Sequence, residues 1–281
     1  EPYFRAEYLA DIALIEFGKP VIALCDGVVM GGGAGLAQHS QHIVMTELTR
    51  FAMPETAIGL FPDVGSSYWL PHLPNGVGYY VGLTGVRLFA KDLLDVGVAT
   101  HFVQSDKLQA LEDDLANNGD LEATLKSYQA DSLAAVDETF EGKSVLGDGV
   151  HGAYVRRCFD PSNADSVEDV IQNLKGLEKE GGDGGAWASS TLDLLNKMSP
   201  TSVAVTFRQL REGAALKERL GADNAGRLQA CLQMEYRIAQ RCMSAPDFRE
   251  GIRALLVDKD HSPKWAERAD VGPYFASLES E

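Results

Sequence analysis

Basic residues are scarce in this chain. Lys and Arg number 25 against 41 Asp and Glu, leaving a formal charge of −16 and a pI near 4.8. Neutralising nucleic-acid phosphates takes clustered cations, so direct nucleic-acid binding is not expected. An acidic surface also repels anionic small molecules unless Lys and Arg gather at the entrance of a site. Cysteine is scarce as well. Cys25, Cys158, Cys231 and Cys242 are scattered without CxxC spacing, which gives neither a metal site nor a disulfide framework and suits reduced thiols. Cys25 closes an apolar run and reads as a small buried hydrophobe rather than a nucleophile. No apolar run approaches the roughly 20 residues that cross a bilayer, so no membrane association is expected. The chain opens at Glu1 with neither an initiator Met nor a signal-peptide pattern, which reads as a processed or truncated product.

What is present suffices for a substantial core, since 281 residues with 45% apolar content can form one domain, or one domain with a helical appendage. From Glu7 to about Phe17 the apolar residues Leu9, Ile12, Ala13 and Phe17 recur at helical spacing, and Gly18-Lys19-Pro20 stops the pattern. Val21 to Cys25 reads as a strand and Asp26-Gly27 as a turn. The cluster Gly31 to Gly35 opens a helix to about Ser40, His42 to Thr46 and Thr49 to Met53 read as strands, and Gly65 to Leu73 as helix. This α/β alternation runs to Ala99-Thr100-His101-Phe102-Val103. Beyond Ser105 the periodicity is almost wholly helical, which divides the chain into 1–105 and 106–281. Gly181 to Gly185 is expected to be an exposed loop, because so many glycines make a regular element entropically costly. Two helices are expected after Pro200, from Ser202 to about Leu220 and from Arg227 to about Met243.

Two stretches carry chemistry: Met30-Gly31-Gly32-Gly33-Ala34-Gly35, and the block from Phe51 to Gly65 that holds Glu55 and Asp63. A helix that starts inside a glycine cluster presents unpaired N–H groups and the positive end of its dipole. Such an end can hold the oxyanion of an attacked thioester carbonyl, and one well-aimed donor is worth on the order of 3 kcal/mol. The same glycines also suit close helix–strand packing. Glu55 and Asp63 lie in apolar sequence, where desolvation raises a carboxyl pKa and suits it to act as base or nucleophile. Read structurally, Glu55 would cap the following turn and Asp63 the helix near Gly65. His39 and His42 lack a ligand-spaced companion and read as surface or satisfied core residues. Ser66 and Ser67 lack the GxSxG setting of a nucleophile elbow.

At these residues the chain resembles the crotonase (enoyl-CoA hydratase/isomerase) superfamily, and within it the thioester-hydrolysing branch. The likeness runs through Lys19 to Leu24, Met30 to Gly35, Phe51 to Gly65, Leu83-Thr84-Gly85 and Ala99 to Val103. It resumes at Ser199 to Ser202, Met234-Glu235-Tyr236-Arg237, Phe248 to Ala254 and Asp258 to Trp265. The resemblance implies an α/β fold, a crotonase-like ββα spiral core lacking its N-terminal part, with a mainly helical C-terminal region continuing it. It implies hydrolysis of the thioester of 3-hydroxyisobutyryl-CoA in valine breakdown, with CoA as part of the substrate and neither cofactor nor metal. By that likeness Glu55, Asp63 and Gly32 are catalytic: the Gly32 N–H faces the thioester oxygen, Glu55 attacks the carbonyl or activates water, and Asp63 orients the substrate hydroxyl and manages protons. Glu7 matches a further substrate-contacting position. The partner is an acyl-CoA, and a homo-oligomer stays open, since the helical second half can either cover the active site or bind neighbouring subunits. The location is the mitochondrial matrix in a eukaryote and the cytoplasm otherwise.

Hydratases of the superfamily place a catalytic glutamate where this chain has Gly35, and a glycine where it has Asp63. The hydratase pair is thus broken and the hydrolase pair complete. A hydratase or isomerase is the second expectation. A non-catalytic crotonase-fold subunit, for example of a mitochondrial ribosome, is the third. Family members also carry an N-terminal region with the other oxyanion N–H and much of the CoA nucleotide site, so the 281 residues alone are expected to be inactive.

Overall fold

The computed structural model of the protein describes residues 2–117, 120–134, 144–146 and 150–278. Helix α1 (Pro2–Glu16) leads through Gly18-Lys19-Pro20 into strand β1 (Ile22–Cys25). The short strand β2 (Val28–Val29), helix α2 (Gly32–Gln38), strand β3 (His42–Met45) and strand β4 (Arg50–Phe51) follow in quick succession. Strand β5 (His101–Phe102) completes a three-stranded parallel sheet of order β1-β3-β5, with Ile22 opposite His42 and Val44 opposite His101. A second parallel pair joins β2 to β4, Val28 opposite Arg50.

The period-two geometry of β3 explains its unbroken apolar sequence. Ile43 and Met45 point into the main core, whereas Val44 points into a smaller cluster with Val103, Leu111 and Leu125. A parallel strand covered on both faces has no polar side to show. Helices α6 (Leu108–Asn117) and α7 (Leu121–Ala134) supply the cover on the Val44 face. Between β4 and β5 lie a 3₁₀ turn (Glu55–Ile58) and the short helices α3 (Ser66–Trp69), α4 (Val77–Thr84) and α5 (Ala90–Asp95).

The C-terminal part is helical: α8 (Val150–Phe159), α9 (Val167–Glu180), α10 (Gly182–Lys197), α11 (Pro200–Leu220), α12 (Asn224–Ser244) and α13 (Pro246–Ile252). Ser199 caps α11, its hydroxyl accepting from the Ser202 N–H at 3.1 Å with Pro200 in the first turn. Asp223 caps α12, accepting from the Gly226 N–H at 2.9 Å. One apolar cluster runs from Phe4 and Tyr8 through Phe61 and Tyr79 to Phe207 and Ile238, so α11 and α12 pack on the same core as the glycine helix. No described helix is long and apolar enough to cross a membrane.

The expected loop at Gly181 to Gly185 is corrected. Gly181 and Gly182 break the chain, at φ +75° and +64°, and α10 runs from Gly182. Gly184 and Gly185 are buried where α10 turns back on α9, and a Cβ on Gly185 would lie 3.0 Å from the Glu178 carbonyl oxygen. Their lack of a side chain serves close helix packing, not an exposed turn.

Candidate active site

The glycine cluster sets the floor of the site. Gly31 has φ +54° and ψ −132°, a backbone region open essentially to glycine alone, and from it the chain turns into α2. The Gly33 N–H donates to the Met30 carbonyl and the Ala34 and Gly35 N–H groups to the Gly31 carbonyl. Among the described residues the Gly32 N–H donates to no backbone carbonyl. Helix α1 crosses the side-chain-free face of α2 and sets two carboxyl groups, one turn apart, into its notches. A Cβ on Gly32 would run into the Glu7 carboxyl, and one on Gly35 would lie 3.1 Å from Asp11 Oδ1 and 2.6 Å from Val64 Cβ.

Glu55 and Asp63 both lie buried beside this floor. Burial pushes Glu55 well above the usual carboxylate range, and the nearby Asp63 charge adds to the push. The backbone N–H groups of Glu55 itself and of Gly31 pull the other way. Glu55 Oε2 has no hydrogen-bond partner. Asp63 is raised by burial and by the charges of Glu235 and Glu7, while the Tyr8 hydroxyl donates to its Oδ2 at 3.1 Å. Glu7, half-buried, accepts from the Tyr3 hydroxyl at 3.2 Å. The four residues singled out from sequence, Glu7, Gly32, Glu55 and Asp63, therefore gather in one region. A groove of about 520 Å³ between α1 and α12 runs past Tyr8, and Arg5 is its one charged lining residue.

The capping readings of the two carboxylates do not hold. Neither the 3₁₀ turn at Glu55 nor α3 has a side-chain cap of its own. The donors at the start of α3 go instead to Glu235 of α12, which accepts from the Gly65 N–H at 2.7 Å, the Ser67 N–H at 2.9 Å and the Ser67 hydroxyl at 2.6 Å. His39, also buried, donates from Nε2 to the Val64 carbonyl at 2.9 Å, and burial lowers its pKa. Val64 stands at φ +54°, a left-handed conformation that costs a β-branched residue on the order of 1–3 kcal/mol. Asp11 is 1% exposed, and its Oδ2 has no partner. Gln209 Nε2 donates to the Pro62 carbonyl at 2.7 Å. Sequence reasoning missed Tyr8, Asp11, Gln209 and Glu235 as parts of this site: the first three carry no local motif, and Glu235, though inside the matched stretch Met234 to Arg237, shows no sign there of its partners.

The described cysteines are all free and buried, with the Cys25 thiol pushed up to about 11. Among the described residues no group of three His, Cys, Asp or Glu side chains could hold a metal ion.

A glycine-floored helix start facing a buried carboxyl pair, on short parallel strands wrapped by helices, defines a family. Residues 1–272 match the enoyl-CoA hydratase/isomerase family, and the chain belongs to it, with the crotonase fold. Its similarity is more particular than that. It is 42% identical to the mitochondrial 3-hydroxyisobutyryl-CoA hydrolase of Rattus norvegicus, over 99% of this chain and 69% of that protein. It is likewise 42% identical to the protein of that name from Homo sapiens, over 99% of this chain and 69% of that one. Among solved structures, a carnitinyl-CoA dehydratase from Mycobacterium thermoresistibile superposes with a TM-score of 0.81 at 29% identity, covering all of this chain and 74% of that one.

Proposed function

We propose that this protein is an acyl-CoA thioester hydrolase acting on 3-hydroxyisobutyryl-CoA, releasing free CoA and 3-hydroxyisobutyrate. Relatives by sequence are named hydrolases, whereas the solved neighbour is named a dehydratase. One observation favours the first: at Gly35, where hydratases of the fold carry a glutamate, a Cβ would lie 2.6 Å from Val64 Cβ. The backbone that brings Asp63 into the site thereby closes the place of the hydratase carboxyl. Valine breakdown is the setting the substrate implies. A mitochondrial location and assembly into a homo-oligomer belong to the same proposal, with an acyl-CoA as the small-molecule partner.

In this reading the thioester carbonyl oxygen sits against the Gly32 N–H, which stabilises the negative charge that develops on attack. Glu55 Oε2, which has no partner, attacks the carbonyl carbon in its ionised form. The C–S bond breaks, Asp63 gives its proton to the departing thiolate, and an acyl–Glu55 anhydride remains. Water then attacks the anhydride while the Asp63 carboxylate takes its proton, and the acid leaves with both carboxyls restored. Two adjacent buried carboxyls suit this division, because their mutual repulsion holds one protonated while the other is ionised. Glu7, beside Gly32, contacts the substrate from the α1 side.

The test compares release of free CoA from 3-hydroxyisobutyryl-CoA with hydration of an α,β-unsaturated acyl-CoA by the same full-length protein. Thioester hydrolysis with no more than trace hydration supports the proposal. Hydration without hydrolysis points to the hydratase reading, and a folded, inert protein to the non-catalytic subunit.

A further inference from the structure

We infer that Glu235 is a positioning residue for the hydrolysis: from a helix remote in sequence it grips the turn that carries Asp63 and so fixes where that carboxyl stands. This rests on the hydrolase reading above.

The turn cannot be expected to hold itself. Val64 and Gly65 are consecutive left-handed residues at φ +54° and +79°, and for valine that conformation persists only where the surroundings over-determine it. The surroundings do so on both sides of Asp63. Ahead of it, the Pro62 carbonyl accepts from Gln209 Nε2 at 2.7 Å and from the Ser66 hydroxyl. Behind it, His39 holds the Val64 carbonyl, and the Glu235 carboxylate takes the Gly65 N–H, the Ser67 N–H and the Ser67 hydroxyl. Gln209 Nε2 also reaches Glu235 Oε1, at 3.3 Å, joining the two halves of the clamp. Glu235 lies 170 positions from Gly65 and is 0% exposed.

A carboxylate is the group this place requires. Every contact described for Glu235 is one in which it accepts, and an amide would turn its NH₂ toward one of those donors. Burial pushes Glu235 itself up to about 7, and once ionised its negative charge has a second effect, because it raises the pKa of Asp63 and of Asp11. The groups that sense it are Tyr8 and Asp11 on α1, Asp63 in the turn and Cys231 on α12. His39, just past the end of α2, and Arg227 on α12 also stand close to the turn and its neighbour Tyr68. Geometry and charge thus give two separable readouts.

The experiment measures CoA release by the full-length wild type, Glu235→Gln, Ser67→Ala, and Val64→Gly with and without Glu235→Gln. In Glu235→Gln, kcat should fall about a hundredfold, the scale of a misplacement of about 1 Å in a reacting group, with KM changed less than about threefold. The pH limb of kcat that reports the carboxyl pair should move to lower pH, since a charge that raises Asp63 has gone. Glycine adopts the left-handed turn without strain, so Val64→Gly placed on Glu235→Gln should restore kcat at least about tenfold. Should Glu235→Gln not fold, Ser67→Ala, which removes the hydroxyl donor to Glu235 Oε1 and leaves the Ser67 N–H in place, carries the test with a smaller kcat loss at constant KM. An active wild type whose variants keep its kcat and pH limb overturns the inference alone. A loss of kcat without a moved limb and without rescue by Val64→Gly overturns it too, leaving a structural role. A wild type that releases no CoA overturns the hydrolase reading instead.

Discussion

Replacing Asp11 by Asn should stabilise the protein, and by an amount set by pH. Asp11 lies against the notch at Gly35 with one oxygen unpartnered, and burial together with the charges of Glu235, Glu7 and Asp63 lifts its pKa to about 8. An aspartate in an unfolded chain titrates near 4. Below that pH both states hold the proton and the fold is not penalised. Between about pH 4 and pH 8 the fold keeps a proton that the unfolded chain has lost, so stability declines as pH rises, by about 1.4 kcal/mol per unit, and levels off above the folded value. From pH 4 to pH 7 this gives at most about 4 kcal/mol, and coupling to its acidic neighbours with local relaxation trims it to about 2–4. Asparagine has the shape of the protonated acid and nothing to titrate. Urea unfolding of wild type and Asp11→Asn should therefore coincide near pH 4 and diverge steadily to about pH 8, the variant being the more stable. A stability difference independent of pH, or a variant less stable than wild type at pH 7, would show that the buried carboxyl is held ionised and refute the reasoning.

Three further outcomes follow from the same geometry. In a single turnover in ¹⁸O-water, label should enter Glu55, as water attack on the Glu55 carbonyl of the anhydride requires; label only in the released acid, together with no acyl–Glu55 anhydride trapped by hydroxylamine, would favour water activated by Glu55 acting as base. Gly32→Ala puts a methyl into the Glu7 carboxyl and should lower kcat about a hundredfold by displacing the N–H donor, against no change if that N–H does not face the substrate. Because burial raises Glu55, and the attacking form is the ionised one, the activity should fall as pH drops through a limb above the ordinary carboxylate range. A kcat/KM profile flat down to that ordinary range would contradict this.

The parts of the site that lie close together in the sequence were legible there, and the parts assembled from afar were not. Glycines 31 to 35 and the two carboxylates in apolar sequence announce themselves, because close backbone approach and desolvated charge each demand unusual residues. The parallel strands are readable as apolar runs, though β4 is only Arg50–Phe51 where Thr49 to Met53 is expected. Helix α1 begins at Pro2, ahead of the periodic stretch from Glu7, since its face toward the core carries Phe4, Tyr8 and the buried Asp11 rather than an apolar stripe alone. Glu235 is one charge on a helix and looks like a solvated face. Only the antiparallel packing of α11 on α12, which brings it over the start of α3 beside Gln209, gives it partners. Gly181 to Gly185 misleads for the same reason: glycine content reports freedom of the backbone, and burial against α9 decides how that freedom is used.

The most direct measurement is kcat for CoA release from 3-hydroxyisobutyryl-CoA by the full-length protein beside Glu55→Gln and Asp63→Asn, with folding checked by thermal unfolding. A folded pair of variants, each slower by about two to four orders of magnitude, is the expected result. Near-wild-type turnover in either would contradict the claim that this buried carboxyl pair carries out the hydrolysis.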